Sequence, residues 1–365
     1  MALDQKKVST LLLKCAALIS LPLAFAVLEI AILPLDYFTF RAWEGLSVSG
    51  KVPLFRGPFY PNRSLARKEE GDLASVQAGG SAKDVVWVTD RFGYRNQGIE
   101  RCTEFPTVVV GDSHVVGTGL TQSDTIGQRF KAHLGPCVFS FAPESPESLL
   151  RKAQFLGLYP RRVIYVVAER DVKKFSGPVV VGELPGLLNS ARHRIAGFKT
   201  GENILVASDR LIKGNMLGFF HSRIGKALWQ ESAVARSSAS FQRDRNFFHE
   251  GLQANRELEP EQFAKVLERV RSYFSLFEKR GIKLVFVPVP SKETIAYDQL
   301  DATHPPKFLN QLISTLKHEK LAVVDLLTPY SKSYATGELP YHLDDSHWND
   351  IGTRLASEQI IAILD

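Results

Sequence analysis

Pro106-Thr107-Val108-Val109-Val110-Gly111-Asp112-Ser113-His114-Val115-Val116-Gly117 is the stretch on which the reading of this chain turns. Thr107 to Val110 is a short apolar β-branched run, the pattern of a buried strand. Gly111 permits a tight backbone path directly after it. Ser113 then stands at the tip of the turn, and Ile126, Phe130 and Leu134 downstream share one helical face at spacing four. A polar group at the carboxyl end of a buried strand, in front of a helix, is where open α/β sheets hold their chemistry. Taken alone, Ser113 can equally be a residue that ends a strand or caps a helix.

From residue 103 onward, strand and helix patterns alternate. Val138–Phe141, Val163–Val167, Lys283–Pro288 and Leu321–Asp325 read as further strands. Pro146–Leu156, Gln262–Lys279, Pro306–Lys317 and Ile351–Leu364 read as helices. Strands joined through helices pair in parallel, so the expectation is a three-layer α/β/α sandwich with a mostly parallel sheet over 103–365. A stretch at about 172–255 breaks the rhythm. It holds Gly/Pro turns, an amphipathic segment near Leu211 to Leu228 and charges near Arg236 to Arg245, and it reads as an insertion capping the active face. Residues 41–102, rich in Gly, Pro and charge, read as an extended lead-in packed on the core. Within it Val85–Thr89 is a short strand, and Gly93 between Phe92 and Tyr94 marks a turn.

Residues 1–40 read as a membrane anchor. Lys6, Lys7 and Lys14 precede an apolar run from Cys15 to Leu28, resumed at Ile30 to Leu33. The run approaches the ~20 residues needed to span a bilayer, and the leading positive charge predicts that end in the cytoplasm and the rest outside. Ala24-Phe25-Ala26 offers a signal-peptidase site, but the apolar residues continue past it, which favours an uncleaved transmembrane helix.

The 365 residues carry a net charge of +6 and a pI near 9.1. Such mild basicity suits an anionic partner, although a solvated surface explains it as well. No Lys/Arg block with interleaved aromatics is present, so nucleic acid is not expected. Three cysteines, Cys15, Cys102 and Cys137, form no CxxC and no zinc spacing, and no metal or cofactor is called for. Cys102 precedes the first core strand and Cys137 the second. If these strands are parallel neighbours, a disulfide can join their starting ends outside the cytoplasm; two free buried thiols fit the sequence equally.

The second chemical constellation is Leu343-Asp344-Asp345-Ser346-His347-Trp348-Asn349-Asp350, between the last strand and the last helix. A neutral His can take the proton from a Ser hydroxyl while a carboxylate fixes its tautomer and stabilises the imidazolium. Asp344 and Asp345 are both within reach of His347 along one loop. Asn349 or Asp350 is placed to cap the final helix.

Gly111-Asp112-Ser113 with this late Asp-His block resembles the SGNH (GDSL-type) hydrolase superfamily. More narrowly, the chain resembles membrane-anchored bacterial polysaccharide O-acetyltransferases of the alginate O-acetyltransferase type. The amino-terminal run, Thr89–Asn96, Glu169-Arg170, Pro288–Lys292 with Tyr297, and Asp345–Asn349 carry the narrower likeness. The resemblance implies Ser113 as nucleophile, His347 as base and Asp345, with Asp344 as the alternative, as its partner. Two superfamily positions depart. Ala142 stands where a glycine is expected after the second strand, leaving its N–H to join that of Ser113 in an oxyanion hole. Glu169-Arg170 replaces an asparagine after the third; Arg170 can serve the oxyanion or form an ion pair with Glu169 or Asp112. The Ser also precedes the Asp-His here, an order that alginate-type members can reverse. Lys292, Trp348 and His114 are substrate-binding candidates, and packing or solvated roles suit Lys292 and Trp348 as well.

The implied function is O-acetylation of a cell-surface or exported polysaccharide through an acyl-enzyme. The chain would be single-pass in the bacterial inner membrane with its catalytic domain outside, and a membrane-bound O-acyltransferase would supply the acetyl groups. Two alternatives stay open: a periplasmic carbohydrate esterase using the same residues, and a non-catalytic carbohydrate-binding or assembly protein on the same fold.

Overall fold

The computed structural model describes residues 5–50, 55–71, 82–182, 199–215, 257–300 and 304–364. Among the described residues, six strands form two sheets. β1 (Ser64–Glu69) and β2 (Lys83–Val88) pair antiparallel, apart from the rest. β3 (Thr107–Gly111), β4 (Val138–Phe141), β5 (Arg162–Ala168) and β6 (Lys283–Val289) form a parallel sheet in the order β4-β3-β5-β6.

The two sides of this sheet follow from strand periodicity. Val108 and Val110, Val163, Tyr165 and Val167, and Leu284 and Phe286 share one core with the helices Pro146–Leu156, Pro260–Glu278 and Phe308–His318. Val109, Ile164, Val166, Val285 and Val287 share the other with the helices Ile126–Leu134, Leu327–Ala335 and Asp350–Leu364. Every residue of β3 is buried, as a strand covered on both faces requires. The layering is therefore α/β/α. The chain leaves β3 for β4 on one side, then crosses back over β3 to reach β5. That reversal opens a crevice at the carboxyl end of β3, the position of Ser113.

The fifth strand expected at Leu321–Asp325 shrinks to a single parallel bridge, Phe286 to Val323. Asp325 ends it by turning its carboxylate to the N–H and hydroxyl of Thr328, which starts the helix Leu327–Ala335. The strand β1 and that helix were not expected. Of the 172–255 insertion, only 172–182 and 199–215 are described; Arg236 to Arg245 and most of Leu211 to Leu228 lie outside the described residues. The described helix, Lys199–Lys213, packs on the lead-in rather than over the sheet. Asp209 accepts from the Ser49 N–H at 3.0 Å and the Tyr60 hydroxyl at 2.9 Å.

The amino-terminal run does form a helix, Gln5–Val27, with Leu13, Leu18, Ile19 and Leu23 exposed. Among the described residues, however, no helix is long and apolar enough to cross a membrane. The expected transmembrane helix is thus not found. Pro22 lies inside the helix, and a π-helical turn with buried Glu29 follows it. There Arg210 collects the carbonyls of Ile30, Leu33 and Pro34, docking the end of the run on the protein.

The lead-in is tied to the core by charged side chains. Arg95 is buried and donates to the carbonyls of Val86, Val116, Gly117 and Leu120 and to Gln122 Oε1, while its guanidinium lies 3.8 Å from the Trp87 ring. It thereby fixes the turn that follows Ser113. Asn96 holds both the N–H and the carbonyl of Ser140 in β4. Cys102 and Cys137 are joined in a disulfide that links the starting ends of β3 and β4, a sequence separation of 35. Closing a loop of that size stabilises by about 3–4 kcal/mol in the chain-entropy model. Urea unfolding of a Cys102→Ser, Cys137→Ser double variant is expected to show a loss of about that size; unchanged stability would contradict this role for the disulfide.

Candidate active site

Ser113 opens a short helix, Ser113–Val116, directly after β3. The turn leaves no room for a side chain at Gly111, where a Cβ would lie 2.1 Å from the Val166 carbonyl oxygen. Asp112 caps the helix, accepting from the His114 N–H at 2.8 Å. Its other oxygen accepts from the Ala168 N–H at 2.8 Å, which ties the Ser113 turn to the end of β5. Burial works against the Asp112 charge, but the His114 ring and these N–H donors hold the carboxyl well below its usual range. As the first residue of a helix, Ser113 has a backbone N–H with no intrahelical acceptor.

The residues Pro340–Asn349 form a closed loop at the far end of the sheet. Tyr341 and Trp348 pair across its neck, and Asn349 Nδ2 donates to the carbonyls of Leu339 and Tyr341. Asn349 Oδ1 accepts from the Gly352 N–H, capping the last helix. The loop carries His347 to Ser113. The Ser113 hydroxyl donates to His347 Nε2 at 2.6 Å, and His347 Nδ1–H donates to Asp345 Oδ1 at 2.6 Å. With Asp345 fixing the proton on Nδ1, Nε2 is left as the acceptor. Asp345 is fully buried. Its second oxygen accepts from Arg41 Nη2 at 2.8 Å. Burial alone would raise the Asp345 carboxyl; the His347 ring and the Arg41 guanidinium outweigh it and hold it well below the usual range.

Asp344, the alternative partner, points elsewhere. It takes Lys83 Nζ at 2.8 Å and the Gly71 N–H at 2.7 Å. Of the two aspartates, Asp345 alone is hydrogen-bonded to the His347 ring.

The other expected site residues occupy supporting positions. Lys292 is buried, not on a substrate-facing rim, because its ammonium collects the carbonyls of His342, Leu343 and Asp345 from beneath the loop. Burial lowers it to about 8. Trp348 has no face for a sugar: it is fully buried and donates Nε1–H to the His114 carbonyl at 3.1 Å. His114 is likewise enclosed. Its Nδ1 meets Asp112 Oδ1 at 3.0 Å, and its ring lies 5.1 Å from that of His347. Burial outweighs the neighbouring Asp112 and lowers His114 below its ordinary value. Arg170 pairs with neither Glu169 nor Asp112; it donates to Ser346 Oγ at 3.2 Å on the loop itself. Glu169 instead accepts from the Ser291 N–H and the Thr294 hydroxyl and pairs with Lys173, bracing the helix Lys292–Ile295 that carries Lys292. Ala142 is buried just past β4, whose last residue Phe141 pairs with Val110, so it comes level with the end of β3.

Arg41 is the site residue that pattern reading missed. It belongs to no motif around Ser113 or His347 and is 304 positions from Asp345. A fully buried carboxylate on a catalytic histidine, with one oxygen left to satisfy, is the signal that calls for a second donor. Arg41 also lines a cavity of about 480 Å³ into which Ser113 and His347 open. Its wall is built largely by the lead-in, through Trp43, Ser47, Val48, Pro58 and Phe59. Among the described residues no cluster suited to a metal ion exists.

Residues 246–365 match the family model described as the SGNH hydrolase-like domain of acetyltransferase AlgX. The match spans roughly a third of the chain. It contains the Asp345–His347 loop but not Ser113. Over these residues the resemblance to SGNH hydrolases and AlgX-type acetyltransferases is shown, and acyl-transfer chemistry of that general kind is supported. No curated protein matches the chain significantly, and no solved structure does.

Removing one partner of a buried ion pair leaves the other charge uncompensated, at a cost of about 3–5 kcal/mol. Arg41→Met is therefore expected to lose about 3 kcal/mol in urea unfolding at neutral pH. A carboxyl depressed in the folded state stabilises above its unfolded pKa, and that stability is lost as pH falls through the folded value. With the depression weakened in Arg41→Met, the gap between variant and wild type should shrink as pH falls through the carboxylate range. A gap independent of pH would contradict the coupling of Arg41 to Asp345.

Proposed function

We propose that this chain is a serine acyltransferase of the SGNH type that transfers acetyl or a related acyl group to hydroxyls of an exported polysaccharide. The observation that carries the reading is the hydrogen-bonded line from Ser113 Oγ through His347 to Asp345, at 2.6 Å for each step. Ser113 Oγ attacks the donor's acyl carbon while His347 Nε2 takes its proton. Asp345 stabilises the imidazolium formed, and stays ionised because Arg41 shares its charge. The backbone N–H groups of Ser113 and Ala142 serve as the oxyanion hole, where one donor is worth about 10²–10³ in rate. The imidazolium protonates the leaving group. A sugar hydroxyl then attacks the acyl-enzyme with His347 again as base.

A location outside the cytoplasm fits this role. It is supported by the Cys102–Cys137 disulfide and by Lys6, Lys7 and Lys14 ahead of the apolar run that begins at Cys15. A membrane-bound O-acyltransferase as acyl supplier and the polysaccharide as acceptor complete the reading, by analogy with the acetyltransferases that the chain resembles.

Hydrolysis and transfer share the acyl-enzyme and differ in the acceptor. Incubating the protein with an acetyl ester, with and without acetyl-free oligosaccharide, should give acetylated sugar and faster ester consumption when the sugar is present. Acetate release indifferent to every sugar offered would overturn the transferase reading in favour of an esterase. Ser113→Ala should lower either activity by about four orders of magnitude or more; full retention would rule out Ser113 as the nucleophile.

A further inference from the structure

The cavity beside Ser113 has a chemistry of its own. Ser113 and His347 line it, so a group esterified to Ser113 Oγ occupies this space. Trp43, Val48, Pro58, Phe59, Val116 and Pro143 make most of the wall. Among the described residues no carboxylate lines it. The one lining cation, Arg41, is engaged with Asp345, and Ser47 donates its hydroxyl to the Glu44 carbonyl. A sugar ring carries a hydroxyl on most of its carbons and binds through several convergent polar groups; besides Ser113 and His347 themselves, this wall adds the hydroxyl of Thr118. An acetyl group has a single methyl to bury. At ~30 Å³ for a water-sized group, a methyl fills a small fraction of the cavity's 480 Å³.

Resting on the acyltransferase reading above, we propose that this cavity is an acyl-chain pocket and that the group carried by Ser113 is an aliphatic acyl chain of roughly four to eight carbons, which would fill about a quarter to a half of it. The donor is an acyl ester. Ser113 Oγ forms the new ester bond, its proton passes to His347 Nε2, the bond from acyl carbon to alkoxy oxygen breaks, and the departing alcohol leaves with that proton. The chain lies between the lead-in and the nucleophile turn, against Val48 and Phe59 on one side and Val116 on the other. The polar acceptor meets the ester from the mouth of the cavity.

The test is kcat/KM of the full chain on p-nitrophenyl acetate, butyrate, hexanoate and octanoate, with Ser113→Ala as background. Each buried methylene is expected to raise kcat/KM about three- to fourfold up to hexanoate. Val48→Trp, which narrows the pocket, should cut the hexanoate-to-acetate ratio at least tenfold. Acetate turned over with longer esters equal or slower would overturn the pocket assignment and leave Ser113 as nucleophile. No ester turned over above the Ser113→Ala background would overturn the acyltransferase reading itself.

Discussion

A carboxylate with no exposure to water governs this molecule. Asp345 is held ionised beside His347, although a lone buried charge is among the costliest arrangements in a protein. The structure answers with donors on both oxygens: the His347 ring and backbone N–H on one, the Arg41 guanidinium on the other. Meeting that requirement binds the two ends of the chain together. Arg41 sits at the start of the lead-in and Asp345 near the carboxyl terminus, so the lead-in is part of the site. It supplies the counter-charge, most of the cavity wall and, through Lys83 and Gly71, the grip on the neighbouring Asp344.

Around this centre, buried polar side chains serve as struts. Glu169 at the end of β5 holds Ser291 and Thr294, which seat the helix bearing Lys292; Lys292 in turn gathers three carbonyls of the base loop. Asp112 links the nucleophile turn to Ala168 and to His114, and His114 meets Trp348 both through its carbonyl and ring to ring. Ser113 and His347 therefore stand on two turns cross-braced through the sheet ends. Burial also lowers His342, within the same loop, to about 3, which keeps another positive charge away from the His347 ring. Such bracing holds groups in line before substrate arrives, which is where enzymes gain from positioning.

What the sequence disclosed was local. The Thr107–Gly111 strand, the helix Pro146–Leu156 and the alternation of the core depend on residues within a few positions of one another; the strand-end serine and the Asp-His loop are each local patterns, joined across 234 positions by their complementary chemistry. Neighbouring parallel strands also made the Cys102–Cys137 bridge conceivable. Arg41 was illegible because its partner is 304 residues away and its own surroundings carry no pattern. Lys292, Trp348 and His114 were read as substrate-binding candidates because their side chains are polar or amphipathic; the carbonyls that draw Lys292 and Trp348 inward belong to other segments, and His114 is taken up by Asp112 two positions before it. Leu321–Asp325 has the composition of a strand, but Asp325 caps the next helix and cuts it to one bridge. The apolar run near the amino terminus was read by length and charge, whereas Pro22, the π-helical turn and the docking of that turn by Arg210 set its course in the structure.

The central claim is that Ser113 is a nucleophile activated by His347 within a frame anchored through Arg41. Its most direct measurement is covalent labelling by a fluorophosphonate, read by peptide mass spectrometry. Wild-type protein should carry the label on Ser113, and His347→Ala should label far more slowly at the same site. Equal labelling rates for the two proteins, or a label that settles on another residue, would contradict the account.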